Sequence, residues 1–152
     1  MKKIISIAVL ALALSAAAMA QPRAVGGRVG YGIEASYQHT LGQNFVEADL
    51  GLFGLGLEVA ATYNWMILQP QWTSKGEWGF YAGPGATVGF DFSGLLTAGV
   101  GGQIGLEYTF DNIPLQLSVD YRPMFGLWAG KDGAGFWFPG LYNLGIGVRY
   151  CF

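Results

Sequence analysis

Almost every stretch after residue 20 alternates apolar and polar residues with a period of two. A strand points successive side chains to opposite faces, whereas a helix repeats its apolar positions every three to four residues, so this chain is written for sheet. The clearest run puts Leu96, Ala98, Val100, Gly102, Ile104, Leu106, Tyr108 and Phe110 on one face. Thr97, Gly99, Gly101, Gln103, Gly105, Glu107 and Thr109 fall on the other. The same split separates Leu115, Leu117, Val119 and Tyr121 from Gln116, Ser118, Asp120 and Arg122. It recurs over 33–38, 46–52, 55–65, 77–90 and 142–152.

Alternation alone fits any half-buried antiparallel sheet, including a soluble sandwich or a lipocalin-like barrel. Two features favour a membrane. The polar face is glycine and charge, which suits a crowded interior. Aromatic residues gather at strand ends: Tyr63, Trp65, Trp78, Phe80, Tyr108, Phe110, Tyr150 and Phe152 at one set, and Phe90, Tyr121, Phe125 and Tyr142 at the other. Two aromatic girdles around an apolar band mark a transmembrane β-barrel. In lipid every backbone group must pair, which strands achieve only by closing on themselves. The expected class is therefore all-β: an antiparallel, transmembrane up-and-down β-barrel.

Composition narrows the field further. Charged residues are 12% and hydrophobic residues 52% of the 152, the reverse of a disordered chain. One cysteine allows no internal disulfide. Met1-Lys2-Lys3, the apolar run 4–17 and the small-residue site Ala18-Met19-Ala20 form the three-part pattern of a secretory signal peptide. Residues 1–20 are thus expected to be a leader cleaved after Ala20, with 21–152 as the barrel. Without Lys2 and Lys3, six basic residues face ten acidic ones. That balance offers no basic patch for nucleic acid.

Single-chain bacterial barrels have even strand numbers, with short periplasmic turns and longer outer loops. Counting back from the C-terminus places strands at 141–152, 114–126, 96–110, 76–90, 55–66 and 44–53. The stretch 23–40 then supplies two more, 23–29 and 32–40, with a hairpin at Gly30-Tyr31-Gly32, for a total of eight. The alternation Val25, Val29, Ile33, Tyr37 also fits one long strand there. Residues 127–139 become an outer loop whose Trp128, Phe136, Trp137 and Phe138 are the candidate surface-recognition residues.

The terminal strand ends at Phe152, with Tyr142 and Tyr150 in phase with it. This resembles the signal read by the outer-membrane assembly machinery. Together with the stretch from Gly102 to Pro123, the chain resembles the small bacterial outer-membrane β-barrel proteins of the OmpX and OmpA-type transmembrane kind, mostly uncharacterised in their short members. The resemblance implies the outer membrane of a two-membrane bacterium, with outer-membrane lipid and the assembly machinery as partners. It carries no catalytic motif.

On this reading Arg28, Glu34, Gln38, Glu47, Asp49, Glu58, Glu77, Gln103, Glu107, Gln116, Asp120, Arg122 and Arg149 face inward. An eight-stranded barrel is narrow enough for side chains to fill it. A desolvated charge must be paired, so Arg122 and Arg149 are expected to bridge several carboxylates in a plug. Pairing positions that sum to about 223 across the Asp111 turn would set Gln103 opposite Asp120 and Glu107 opposite Gln116. Catalysis finds little support. His39, the single histidine, shares parity with outward Tyr37, while Ser36 points inward. A nucleophile and its base need hydrogen-bond reach. One His and one Cys supply no metal site without several carboxylates, and no cofactor is implied. The expected role is non-enzymatic, structural or surface-interacting through the outer loops. A narrow porin-like channel is the alternative, and a lipid-modifying enzyme the third.

Overall fold

The computed structural model describes residues 22–152. The expected signal peptide lies outside the described residues. Ten strands form one antiparallel sheet: β1 Pro22–Val29, β2 Ile33–Leu41, β3 Asn44–Phe53, β4 Gly56–Leu68, β5 Glu77–Asp91, β6 Leu96–Thr109, β7 Leu115–Tyr121, β8 Met124–Gly130, β9 Gly133–Trp137 and β10 Leu144–Cys151. Neighbours run β5-β4-β3-β2-β1-β10-β7-β6, and β6 pairs back with β5. The sheet is therefore a closed eight-stranded barrel, with β8 continuing β7 along β6 and β9 folded onto β8 as a hairpin.

The stagger can be read from the registers. Partners followed from Leu106 run through Val119, Ile146, Val29, Ile33, Leu52, Leu57 and Phe90, and return to β6 at Leu96. A circuit that closes ten residues away tilts the strands by roughly 40°, given ~3.3 Å per residue and ~4.8 Å between strands.

The stretch 23–40 is two strands, joined at Gly30–Gly32. Neither of these glycines has a positive φ, so conformational freedom is not what fixes the hairpin. A Cβ at Gly30 would run into Asn143 Oδ1 and Arg28 Nη1, so any other residue there would have to displace that hydrogen-bonded pair. Positive φ is needed instead at Gly42 (67°) and Gly54 (55°), each the first residue of a two-residue hairpin.

Three expectations are corrected, two of them by proline. Pairing of β6 with β7 sets Gly105 opposite Asp120 and Glu107 opposite Ser118, two residues from the expected register. Pro114 has no N–H to donate, so the ladder starts at Leu115, which accepts from Phe110 N, and the turn is two residues longer. The expected strand 114–126 is interrupted at Arg122-Pro123. There the chain exchanges its neighbour β10 for β9, while keeping its register along β6. Finally, 127–139 is not an open loop. It forms the end of β8, β9 and the start of a 3-10 turn over Pro139–Tyr142, so the last strand starts at Leu144 rather than 141.

The two faces of the wall differ completely. Ile33 is 70% exposed, Ile146 61% and Leu52 59%, whereas Arg28 and Arg122 are 0%. From Val25 to Tyr150, no outward strand position holds Asp, Glu, Lys or Arg.

Candidate functional site: the barrel interior

The inward positions gather into three groups. Nearest the β8–β9 hairpin, Arg28 donates from Nε to Asp120 Oδ1 (2.9 Å) and from Nη1 to Glu34 Oε2 and Asn143 Oδ1 (3.1 and 3.0 Å). Arg122 donates from Nη2 to both oxygens of Glu34 (2.6 and 2.7 Å) and from Nη1 to Asp49. Glu34 is thus shared by two guanidinium groups. Such charge-assisted, forked contacts are the geometry in which a buried arginine offsets its desolvation.

The middle group centres on Glu47. Arg149 Nη2 lies 3.1 Å from its Oε1, and Gln38 Nε2 donates to its Oε2 at 2.7 Å. Gln103 donates to Glu47 (3.1 Å) and accepts from Thr62 and Asn64. Arg149 also donates to Ser36 and Ser118 (2.9 and 2.7 Å). Gln103 therefore serves Glu47, not Asp120 as the expected register implied.

The third group lies toward the chain termini. Glu107 is held by Arg23 and by Gln116 Nε2 (3.3 Å). The Arg23 guanidinium also sits 4.2 Å from the centroid of Phe45, whose ring meets Tyr81 edge-on at 5.1 Å. Arg23 escapes a parity reading because the register slips between Pro22 and Ala24. A bulge of this kind re-aims a side chain. Asn64, Phe45 and Met124 were legible from the parity of their neighbours, and Asn143 from its place just before β10.

Glycine makes room for these long side chains. A Cβ at Gly145 would collide with the Arg28 guanidinium, one at Gly105 with the Tyr81 ring, and one at Gly147 with Arg149 and Ser118. Of the remaining expected inward residues, Glu58 is buried but has no arginine ion-pair partner among the described residues. Glu77 is exposed at the rim.

The candidate recognition aromatics divide in two. Phe136 (74% exposed) and Phe138 point outward, their rings stacked at 6.0 Å. Trp137 is only 7% exposed, and Trp128 is half-buried. The expectation of four exposed rings is therefore wrong for these two. They share the inner face of the hairpin, since β8 and β9 alternate like the rest of the barrel. Trp137 lies against Gly140, and Met124 on the same face reaches toward Gly85 and Thr62.

On the outer wall, rings cluster around one end: Trp72 with Trp78, Trp78 with Tyr108, Tyr108 with Phe110, Tyr63 with Trp65, and Tyr150 with Phe152 (4.8–5.4 Å). Phe80 is half-buried on the same wall. Trp72, in the β4–β5 connection, has no strand parity to betray it. Tyr121 and Tyr142 lie toward the other end. Tyr121 donates its hydroxyl to the Leu141 carbonyl (2.8 Å), and Tyr142 sits exposed in the 3-10 turn rather than in the last strand.

Ser36 and His39 lie on different faces. The Ser36 hydroxyl is engaged by Arg149, and His39 Nδ1 is 2.8 Å from the Tyr37 hydroxyl. No group of three or more His, Cys, Asp or Glu among the described residues has the arrangement of a metal site.

No family model, curated protein or solved structure matches this chain.

Proposed function

We propose that the protein is a small outer-membrane β-barrel of the OmpX and OmpA-type kind, exported by its N-terminal leader, with a plugged interior and no catalytic activity. Its role is in the envelope itself, as a structural element or a surface-interacting one. The observation that carries this reading is the sorting of side chains across the wall. From Val25 to Tyr150, strand positions facing out carry no Asp, Glu, Lys or Arg, while Arg28, Arg122 and Arg149 are buried inside. In water that arrangement would expose a continuous apolar belt far beyond what soluble proteins tolerate. In a bilayer it is the stable one, and rings such as Trp65, Trp78 and Tyr150 suit the headgroup level. Heat-modifiability on gels combined with membrane fractionation tests it. A detergent-free monomer in plain buffer would overturn it.

The plug rests on accessibility. A bore wide enough for water would leave its lining residues exposed to water, yet Arg28, Gln38, Glu47 and Arg122 are 0% exposed. Planar-bilayer recording should give no steady ohmic conductance. With Trp128 and Trp137 turned inward, a surface partner would meet Phe136, Phe138 and the Lys131-Asp132 turn. If deleting the hairpin tip changes no adhesion or binding phenotype, the role is structural alone.

A further inference from the structure

The sheet ends at β9, which pairs with β8 and with no other strand among the described residues. Because β8 continues β7 along β6, β9 stands in the column of β10, past its first residue Leu144. The next column is β1, which ends at Val29 opposite Ile146, so no strand covers the free edge. The hairpin closes at Gly130 and Gly133 around a two-residue turn. A closing pair of this kind exchanges its hydrogen bonds, and the ladder then alternates. Gly133, Gly135 and Trp137 therefore turn their N–H and C=O groups to β8, while Ala134 and Phe136 turn theirs away. Among the described residues, no backbone bond outside the strand ladders reaches either of these two. Proteins commonly blunt a bare edge with lysine, proline or a bulge. The strand Gly133–Trp137 has none of them, and Lys131-Asp132 and Pro139 only mark its limits.

The order of sizes along this edge is its own complement. Small residues, Gly133 and Ala134, precede the large Phe136 and Trp137, with Gly135 between them. An antiparallel copy centred on Gly135 puts Phe136 beside Ala134 and Trp137 beside Gly133. The same register sets Ala134 and Phe136 of one copy against Phe136 and Ala134 of the other, so each N–H and C=O that these residues turn outward is matched. Centring on Ala134 would leave Phe136 against Asp132 in the turn, and centring on Phe136 would set the two phenylalanines against each other. We propose that β9 is a self-docking edge, through which two copies of this chain join their sheets by antiparallel β9–β9 pairing. The two-fold axis closes the contact, so association stops at a dimer. That axis is normal to the sheet, which here is the barrel wall, so the two barrels point in opposite directions. On the membrane reading proposed above, the copies then sit in two facing membranes. The pairing itself does not depend on that reading.

The test uses the folded protein in a non-ionic detergent, with Cys151→Ser as the background for crosslinking. Residues paired across the edge would lie ~5.5 Å apart between Cα atoms, within disulfide reach, whereas the two copies of residue 134 would lie ~9 Å apart, outside it. Ala134→Cys mixed with Phe136→Cys should therefore give a disulfide-linked dimer on oxidation, and neither variant alone should. Sedimentation of the unsubstituted protein should show a reversible dimer at high concentration, weakened at least about tenfold by Ala134→Pro. Proline there removes an N–H that β8 does not use, so the heat-shifted gel mobility should be kept. A protein that stays monomeric at every concentration, a crosslink as strong in either variant alone as in the mixture, or a dimer indifferent to Ala134→Pro would overturn the proposal. Cells displaying one cysteine variant, mixed with cells displaying the other, should form the same bond. Its absence there, with the bond formed in detergent, would refute the facing membranes and leave the edge pairing standing.

Discussion

The two ends of the barrel solve the same problem differently. Toward the β8–β9 hairpin, Arg28 and Arg122 are fully buried and each contacts two carboxylates, with Met124 and Trp137 buried on the inner face beyond them. Toward the termini, the Arg23 side chain is 20% exposed, pairs with a single carboxylate, Glu107, among the described residues, and borders a cavity. The difference teaches which charges hold the fold and which remain available. A charge sealed from water must be matched by geometry, whereas one at a mouth is partly matched by solvent.

The largest effect should come from breaking a sealed pair. Arg28→Leu takes from Asp120 and Glu34 the cation they share, and should cost about 3–5 kcal/mol in reversible unfolding from lipid vesicles. Arg23→Leu, at the open end, should cost clearly less by the same measurement. If the two variants unfold alike, the distinction between the ends fails.

Next comes the aromatic at the closed end. Trp137→Ala should cost about 3 kcal/mol, as truncation of a buried ring does. Phe136→Ala, its outward neighbour, should cost under about 1 kcal/mol in detergent, because its ring leaves one apolar environment for another. Trp137→Ala should also make Trp128 more accessible to an aqueous quencher. Equal costs would mean that the hairpin does not alternate as described.

Such pairs show what the sequence could and could not convey. Alternation reports which face a residue takes, and it does so for Glu34, Glu47, Asp49, Gln103, Asp120 and Arg149, whose charge or amide contrasts with Ile, Val and Leu neighbours. It falls silent where both faces are apolar or small. Gly133-Ala134-Gly135-Phe136-Trp137 therefore reads as loop, although it is strand with Trp137 turned in. Nor does alternation specify partners, because a slip of two residues keeps every side chain on its face. Pro114 imposes such a slip on β7, and the bulge at Pro22/Ala24 brings in Arg23 against its parity. Which arginine meets which acid depends on the ten-residue stagger of the whole circuit, a property of closure that no single segment carries.

The smallest effects separate two reasons for glycine, one at each end. Gly145 faces inward, where a Cβ would meet the Arg28 guanidinium, so Gly145→Ala should cost about 1–3 kcal/mol by overpacking. Gly42, in the β2–β3 hairpin, has nothing within 4 Å of where a Cβ would lie, but its φ is +67°. Gly42→Ala should therefore cost about 1 kcal/mol through the backbone alone. Asparagine distinguishes the two causes, because it visits the left-handed region more readily than alanine but occupies more space. Gly42→Asn should be better tolerated than Gly42→Ala, whereas Gly145→Asn should be worse than Gly145→Ala. Unfolding midpoints of the four variants test this, and the same ranking at both sites would mean that space around Arg28 is not what keeps residue 145 a glycine.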